Sequence, residues 1–358
     1  MNAKQRVRAA LAHQESDRVP LDYYARDEVT ASLRQRLNLG PEESLEERLG
    51  VDLRPVGPRF TPPAADLSYA DPSVRVDERD LHYDIWGVGF RPNSTASGFY
   101  MDLASNPLKG LESPEELDNY PWPSADQWDY SQIAAQAKSQ AKYWVWAHSR
   151  GIFEISWFVR GFDGFLLDLA AAPERANALM DKVQCYLMER TRRILEAGDG
   201  WIDMVEYNDD VAGQNGMLIS PRMWRQFLKP RMSAFIEMCK GYGVAIRYHC
   251  CGGLRPILPD LIEIGVDVIT PVQTVAAGMA PEGLKRDFGD RLVFNGGIDT
   301  QGLLPRASAA EVAAETARLM EVLGKKGGLI LGPAHVFQAD VPVENVLAVY
   351  ATALGHPV

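Results

Sequence analysis

Short apolar runs recur along this chain, each followed by a polar residue and then an amphipathic stretch. The runs fall at 19–24, 51–56, 143–147, 201–206, 244–249, 266–270, 292–295 and 328–331. Runs of this length, rich in β-branched and aromatic residues, predict buried strands. The last five are separated by segments with helical period. In 309–323, for example, Val312, Leu319 and Leu323 share one face, with the methyl of Thr316 between them. Strands alternating with helices predict a parallel sheet, and eight such units are the count of a closed (β/α)8 TIM barrel. The expected fold class is therefore α/β, one barrel domain over 1–358 with a β-hairpin inserted after strand two, at about 72–104. The hairpin is read from 74–101, where apolar and polar positions alternate around a polar turn. The segment 107–128, rich in Pro, Asp and Trp, reads as an exposed connection to a helix near 132–142. Neither stretch has the Gly/Ser or charged composition of a tether between domains.

Charge and cysteine usage narrow the function classes. With 37 Lys and Arg against 48 Asp and Glu, the 358-residue chain carries a formal charge of −11. Nucleic acids and anionic membranes attract basic patches, so neither is expected as a partner. No apolar run approaches the roughly 18 residues of a membrane span, and the charged opening is followed by no signal core, which predicts a cytoplasmic protein. The cysteines at 185, 239, 250 and 251 do not read as a disulfide framework; metal ligation or simple burial accounts for them better.

A barrel draws its catalytic groups from the carboxyl-terminal ends of its strands. Here those ends carry Glu206 to Asp210, His249 to Gly253, Pro271 to Gln273, Asn295 to Asp299 and Gly332 to His335. The sharpest pattern is His249-Cys250-Cys251. Residues two apart on a strand share a face, so His249 and Cys251 project together while Cys250 points away. Imidazole and thiolate are good zinc ligands, and a catalytic zinc needs about three protein ligands. His335 is the first choice for the third, with Glu206 or Gln273 behind it. The competing reading is a buried histidine beside two packed thiols. Asp209 and Asp210 read as a general base or substrate clamp, or as a helix cap. Asn295-Gly296-Gly297 brings backbone N–H groups to a substrate, or makes a tight turn. Tyr24 and Arg26 hold an anionic or aromatic substrate, unless Arg26 pairs with Asp27 or Glu28. Tyr83, Asp84 and Trp86 form a lid from the inserted hairpin, or pack within it.

From about residue 151 onward the chain resembles the uroporphyrinogen-decarboxylase-like superfamily. The landmarks are Asn208-Asp209-Asp210, Gln214, the run from Ile219 to Trp224, Lys229-Pro230, Tyr248 to Gly252, Pro256 to Gln273, Phe294 to Asp299, 328–335 and Asp340 to Asn345, together with the opening Arg18-Val19-Pro20. The fold implied is again the (β/α)8 barrel. One branch of the superfamily decarboxylates a tetrapyrrole without a cofactor, holding substrate carboxylates with an arginine-rich Arg-Gln-Ala-Gly-Arg signature. This chain has Tyr23-Tyr24-Ala25-Arg26-Asp27 there, and only Arg26 remains as a cation.

The other branch comprises zinc-dependent methyltransferases that work with a corrinoid protein. Their ligands resemble a His-x-Cys pair at strand five, matched by His249 and Cys251, and a distant Cys at strand eight, near whose place His335 stands. A Glu after strand six in related enzymes is Gln273 here. Both changes reduce negative charge at the metal, which favours polarising an ether or amine donor over activating a thiol. The resemblance therefore implies a zinc-dependent methyltransferase. It would move methyl groups between a small methoxylated or methylated compound and a corrinoid supplied by a partner protein. Zinc would sit on His249, Cys251 and His335, with Gln273 or Glu206 nearby. Asp210 would carry a proton, Tyr24, Tyr83 and Trp86 would wall the cavity, and pairing into a homodimer is expected. Two alternatives stand beside it: a cofactor-free decarboxylase or lyase acting on a small acidic substrate, using Asp84 or Asp210 with His335, and a non-catalytic barrel that binds a corrinoid or another ligand.

Overall fold

The computed structural model describes residues 1–61, 73–95 and 98–358. Helix α1 (Ala3–Leu11) opens the chain, capped by Asn2 and Gln5. The first sheet strand, β1 (Leu53–Val56), precedes an inserted antiparallel sheet of β2 (Ser73–Val76), β3 (His82–Asp84), β4 (Gly89–Thr95) and β5 (Gly98–Ser105). Six further strands return to the main sheet: β6 (Trp144–Arg150), β7 (Met204–Asn208), β8 (Ala245–His249), β9 (Val268–Val272), β10 (Val293–Ile298) and β11 (Leu329–Pro333). They pair in the order β1-β6-β7-β8-β9-β10-β11, every pair parallel.

The predicted first strand closes the curl. Asp22 N donates to Leu331 O and Leu331 N to Pro20 O, while Asp52 N donates to Leu21 O, each at 2.8 Å. Leu21 is bridged in parallel to Leu331. One residue of ladder thus stands between β11 and β1, and all eight predicted positions take part in a TIM-like barrel.

The insertion differs from the single hairpin expected from the sequence. It makes four strands because two aspartates build extra reversals. Asp77 accepts from the N–H groups of Arg79 and Leu81, with Asp80 in the left-handed region at φ 58°. Asp84 accepts from those of Trp86 and Val88, both at 2.9 Å. Side-chain turns of this kind imitate a backbone turn and need only a short polar stretch. Residue 72 at the expected start and 96–97 lie outside the described residues.

Parallel strands with aligned register stack their inward side chains in layers. The lowest layer is apolar: Leu53, Trp144, Met204, Val268, Val293 and Ile330 form one cluster, closed from below by Val7 and Ala10 of α1. The next layer is polar. His148 lies opposite Glu206, and Glu206 opposite Arg247. Above it, Arg150, Asn208, His249 and Thr270 are register partners in turn. A sealed apolar base beneath polar layers leaves the carboxyl-terminal end as the open one.

Candidate metal centre and cavity

His249 ends β8 with its ring facing the barrel interior. Cys250 turns outward into the core and is fully buried. Cys251 returns to the inside, its Sγ 3.7 Å from His249 Nε2, as two-residue alternation requires. His335 arrives two residues past β11, its ring centroid 6.1 Å from that of His249. One ligand atom from each of His249, Cys251 and His335 lies within 4.8 Å of the other two. In a tetrahedral zinc site with Zn–N near 2.05 Å and Zn–S near 2.3 Å, nitrogen and sulfur stand about 3.6 Å apart. The observed 3.7 Å between His249 and Cys251 fits that donor set.

The protonation states fit as well. Burial depresses the His335 imidazole to about 4, with His249 adding to the effect. Burial also lowers His249. Both rings are therefore neutral near pH 7, the form that ligates a metal. Burial, then the Asp210 carboxylate, pushes the Cys251 thiol far up; a divalent ion bound there would favour the thiolate instead. Asp210 holds the pair in place, its Oδ1 accepting from Cys251 N at 2.7 Å. Its own carboxyl is raised by burial, with the Cys251 hydrogen bond and the nearby His335 and Arg150 partly offsetting this.

Beneath these groups is a cavity that opens in part to solvent. Its floor is an ion cluster. Arg247 Nε lies 2.7 Å from Glu206 Oε2 and Nη1 lies 3.0 Å from Asp22 Oδ2, and Nη1 also donates to Asn295 Oδ1 at 3.0 Å. The guanidinium stacks on Trp146, 4.2 Å from the ring centroid. Burial raises Glu206, but Arg247 and two imidazoles outweigh it and hold the carboxyl below its usual value. Asp22 stays above its usual value because burial exceeds the help from Arg247. Tyr24, Trp146, Pro271 and Pro333 make the walls, and His249 and His335 the upper edge.

The expected site residues divide accordingly. Tyr24, Glu206, Asn295, His249 and His335 line this cavity, and Asp210 stands behind Cys251. Glu206, expected near the metal, is engaged by Arg247 in the floor. Gln273 accepts from Gln214 Nε2 at 2.5 Å and donates to Ala334 O at 3.3 Å. Arg26 lies over the Tyr100 ring, 5.1 Å from its centroid, and contributes to depressing His335. Tyr83, Asp84 and Trp86, expected as a lid, are not among the lining residues. Tyr83 donates to Asp77, Asp84 makes its turn, and Trp86 is buried edge-on against Tyr186 at 4.9 Å between centroids.

Sequence reasoning missed Asp22, Trp146 and Arg247, and also His148 and Glu154. Burial lowers His148 to about 4. Burial raises Glu154, which pairs with Arg150 at 3.1 Å. A signal for Arg247 was present: a charged residue inside an apolar strand, two positions before His249 and so on the same face.

Asp209 has the capping role. Its carboxylate accepts from Phe153 N and Glu154 N at 3.1 and 2.8 Å, at the start of helix α2 (Ile152–Arg160). This packing leaves no room at Gly151, where a Cβ would overlap the Asp209 side chain. Gly151→Ala is expected to lower stability by about 1–3 kcal/mol or more, as overpacking does. Urea unfolding measures it, and an unchanged midpoint would refute the packing described.

The profile of the uroporphyrinogen decarboxylase (URO-D) family matches residues 136–355. The chain belongs to the URO-D family. A methyltransferase from Methanosarcina mazei shares its fold, with a TM-score of 0.69 at 18% identity over 99% of both chains. Dispersin B aligns over 95% of this chain and 98% of its own, but with a TM-score of 0.40 and 9% identity, too remote to bear on the site. No curated protein matches the sequence. Among the described residues, no helix is long and apolar enough to cross a membrane.

Proposed function

We propose that this URO-D family member is a zinc-dependent methyltransferase acting between a small methoxylated or methylated compound and a corrinoid carried by a partner protein. The observation that carries the reading is the convergence of His249, Cys251 and His335 within 4.8 Å at the cavity's upper edge. Zinc bound there would act as a Lewis acid toward the heteroatom bearing the methyl group. Around it the chain's own groups bind and orient. Tyr24 and Trp146 flank the substrate, and the floor of Arg247, Glu206, Asp22 and Asn295 offers hydrogen bonds to its far end. Asp210 fixes the Cys251 loop through the backbone N–H and is placed to exchange a proton beside His335.

The cavity is bounded by Tyr24, Trp146, Pro271 and Pro333 above the Arg247 cluster. Its single lining arginine is already shared by two carboxylates, which argues against a polycarboxylate tetrapyrrole. Family membership favours a second reading, decarboxylation of a small acidic substrate without a cofactor. With Asp84 committed to its turn, that reading rests on Asp210 and His335.

The test is methyl transfer from a panel of methoxylated and N-methylated compounds to a corrinoid protein, followed by the cobalt absorbance. Chelation should reduce the rate by about a thousandfold or more, the worth of a Lewis acid of several kcal/mol, and zinc should restore it. Turnover that survives full chelation and releases carbon dioxide would establish the decarboxylase instead.

A further inference from the structure

We infer that Gln273 is a positioning residue, whose amide ties the two halves of the His249–Cys251–His335 group together and sets the distance between them. The group is assembled from separate parts of the rim, with His249 at the end of β8, Cys251 two residues beyond it and His335 after β11. Between them runs a continuous chain of contacts. The loop holding Cys251 is locked to the short hairpin at 212–217, where Gly253 N donates to Gly213 O at 2.9 Å. The approach is so close that a Cβ at Gly252 would overlap the Gly213 backbone. From that hairpin Gln214 donates to Gln273 Oε1, and Gln273 Nε2 donates to the carbonyl of Ala334, the residue before His335. Ala334 N in turn donates to Ile298 O at 2.7 Å.

Chemistry fixes which way the Gln273 amide points. The Ala334 carbonyl can only accept, so the NH2 group must face it, and the oxygen is left for the Gln214 donor. Gln273 is 5% exposed, so neither contact is readily replaced by water. A glutamate at this position would set a carboxylate oxygen against the Ala334 carbonyl, two acceptors with no proton between them. Positioning and ligation therefore predict opposite signs for the same substitution. If Gln273 were a ligand, Gln273→Glu would supply a better oxygen donor, and Gln214→Ala would free the amide oxygen for the metal; both would tighten zinc. If Gln273 positions His335, both weaken it.

The zinc arm of the test rests on the proposed function, and the other arm does not. In metal-free protein, amide hydrogen exchange at Ala334, whose N–H donates to Ile298 O, should quicken about tenfold in Gln273→Glu and Gln273→Ala, the worth of one buried hydrogen bond. Exchange in the remote helix Ala309–Gly324 should be unchanged, showing that the variants remain folded. In competition titrations with a chromophoric chelator, Gln273→Glu and Gln214→Ala should bind zinc about 10–100-fold more weakly than the unaltered chain, as loss of an outer contact does. Unchanged exchange at Ala334, or tighter zinc in Gln273→Glu, would overturn the inference. If the unaltered chain takes up no zinc, the metal reading falls, and the exchange result still decides the role of Gln273.

Discussion

A His249→Ala chain will bind zinc at least about a hundredfold more weakly than the unaltered protein while keeping its fold. Structural zinc sites gain roughly 10–16 kcal/mol from four ligands, so each ligand contributes about 3 kcal/mol, or about two powers of ten. The backbone of His249 is held by its register partners Asn208 and Thr270, and those ladder bonds do not need the ring. The imidazole faces the cavity, so its loss leaves room for water rather than a collapsed core. Competition titration reads the affinity and circular dichroism reads the fold. Zinc affinity unchanged in a folded variant would place the ion away from β8 and remove the basis for methyl transfer at this site.

The second large effect concerns the cavity floor. Arg247→Met, close in volume but uncharged, is expected to cost about 3–5 kcal/mol near neutral pH, because it strands two carboxylates in a buried layer. Arg247 is 2% exposed and Glu206 6%, so cavity water replaces only part of what the guanidinium supplies to the two carboxylates. The sign with pH follows from the carboxylates. In the unaltered chain Glu206 sits below its usual value, because Arg247 and the imidazoles outweigh burial. Without the cation, burial is left to raise it, and Asp22 rises further from its already elevated position. A carboxyl raised in the folded state contributes stability that is present below its unfolded value of about 4 and is lost as pH rises through the folded value. The deficit of Arg247→Met should therefore be smallest in acid and grow toward pH 8. Urea unfolding of both proteins at about pH 5 and pH 8 measures it. A deficit independent of pH would mean that the stranded charges are not its cause.

The barrel was legible because its signal is repeated. Eight apolar runs each mark a strand position: the weaker second, at 51–56, forms β1, and the first, at 19–24, closes the sheet through Leu21. The inserted sheet was legible only as β-structure. Its extra reversals depend on Asp77 and Asp84 accepting from backbone groups two and four residues on, and an aspartate in a polar stretch looks the same whether or not it turns the chain.

At the site, His249 and Cys251 were readable from spacing, since strand alternation is local. His335 was reached by its place at a strand end and by family likeness. The Arg247 cluster was not read, because its partners Asp22, Glu206 and Asn295 come from three other strand positions, and their meeting depends on the register of the closed barrel. Gln273 was named from family likeness; its hydrogen bonds to Gln214 and the Ala334 carbonyl depend on the loops that meet in the folded barrel and could not be read from the sequence.

The most direct test of the account is anomalous diffraction at the zinc absorption edge from crystals grown with equimolar zinc. A single strong peak within about 2.0–2.3 Å of a His249 nitrogen, Cys251 Sγ and a His335 nitrogen is the expected result. A map with no peak among these three residues, or with the ion bound elsewhere on the chain, would contradict it.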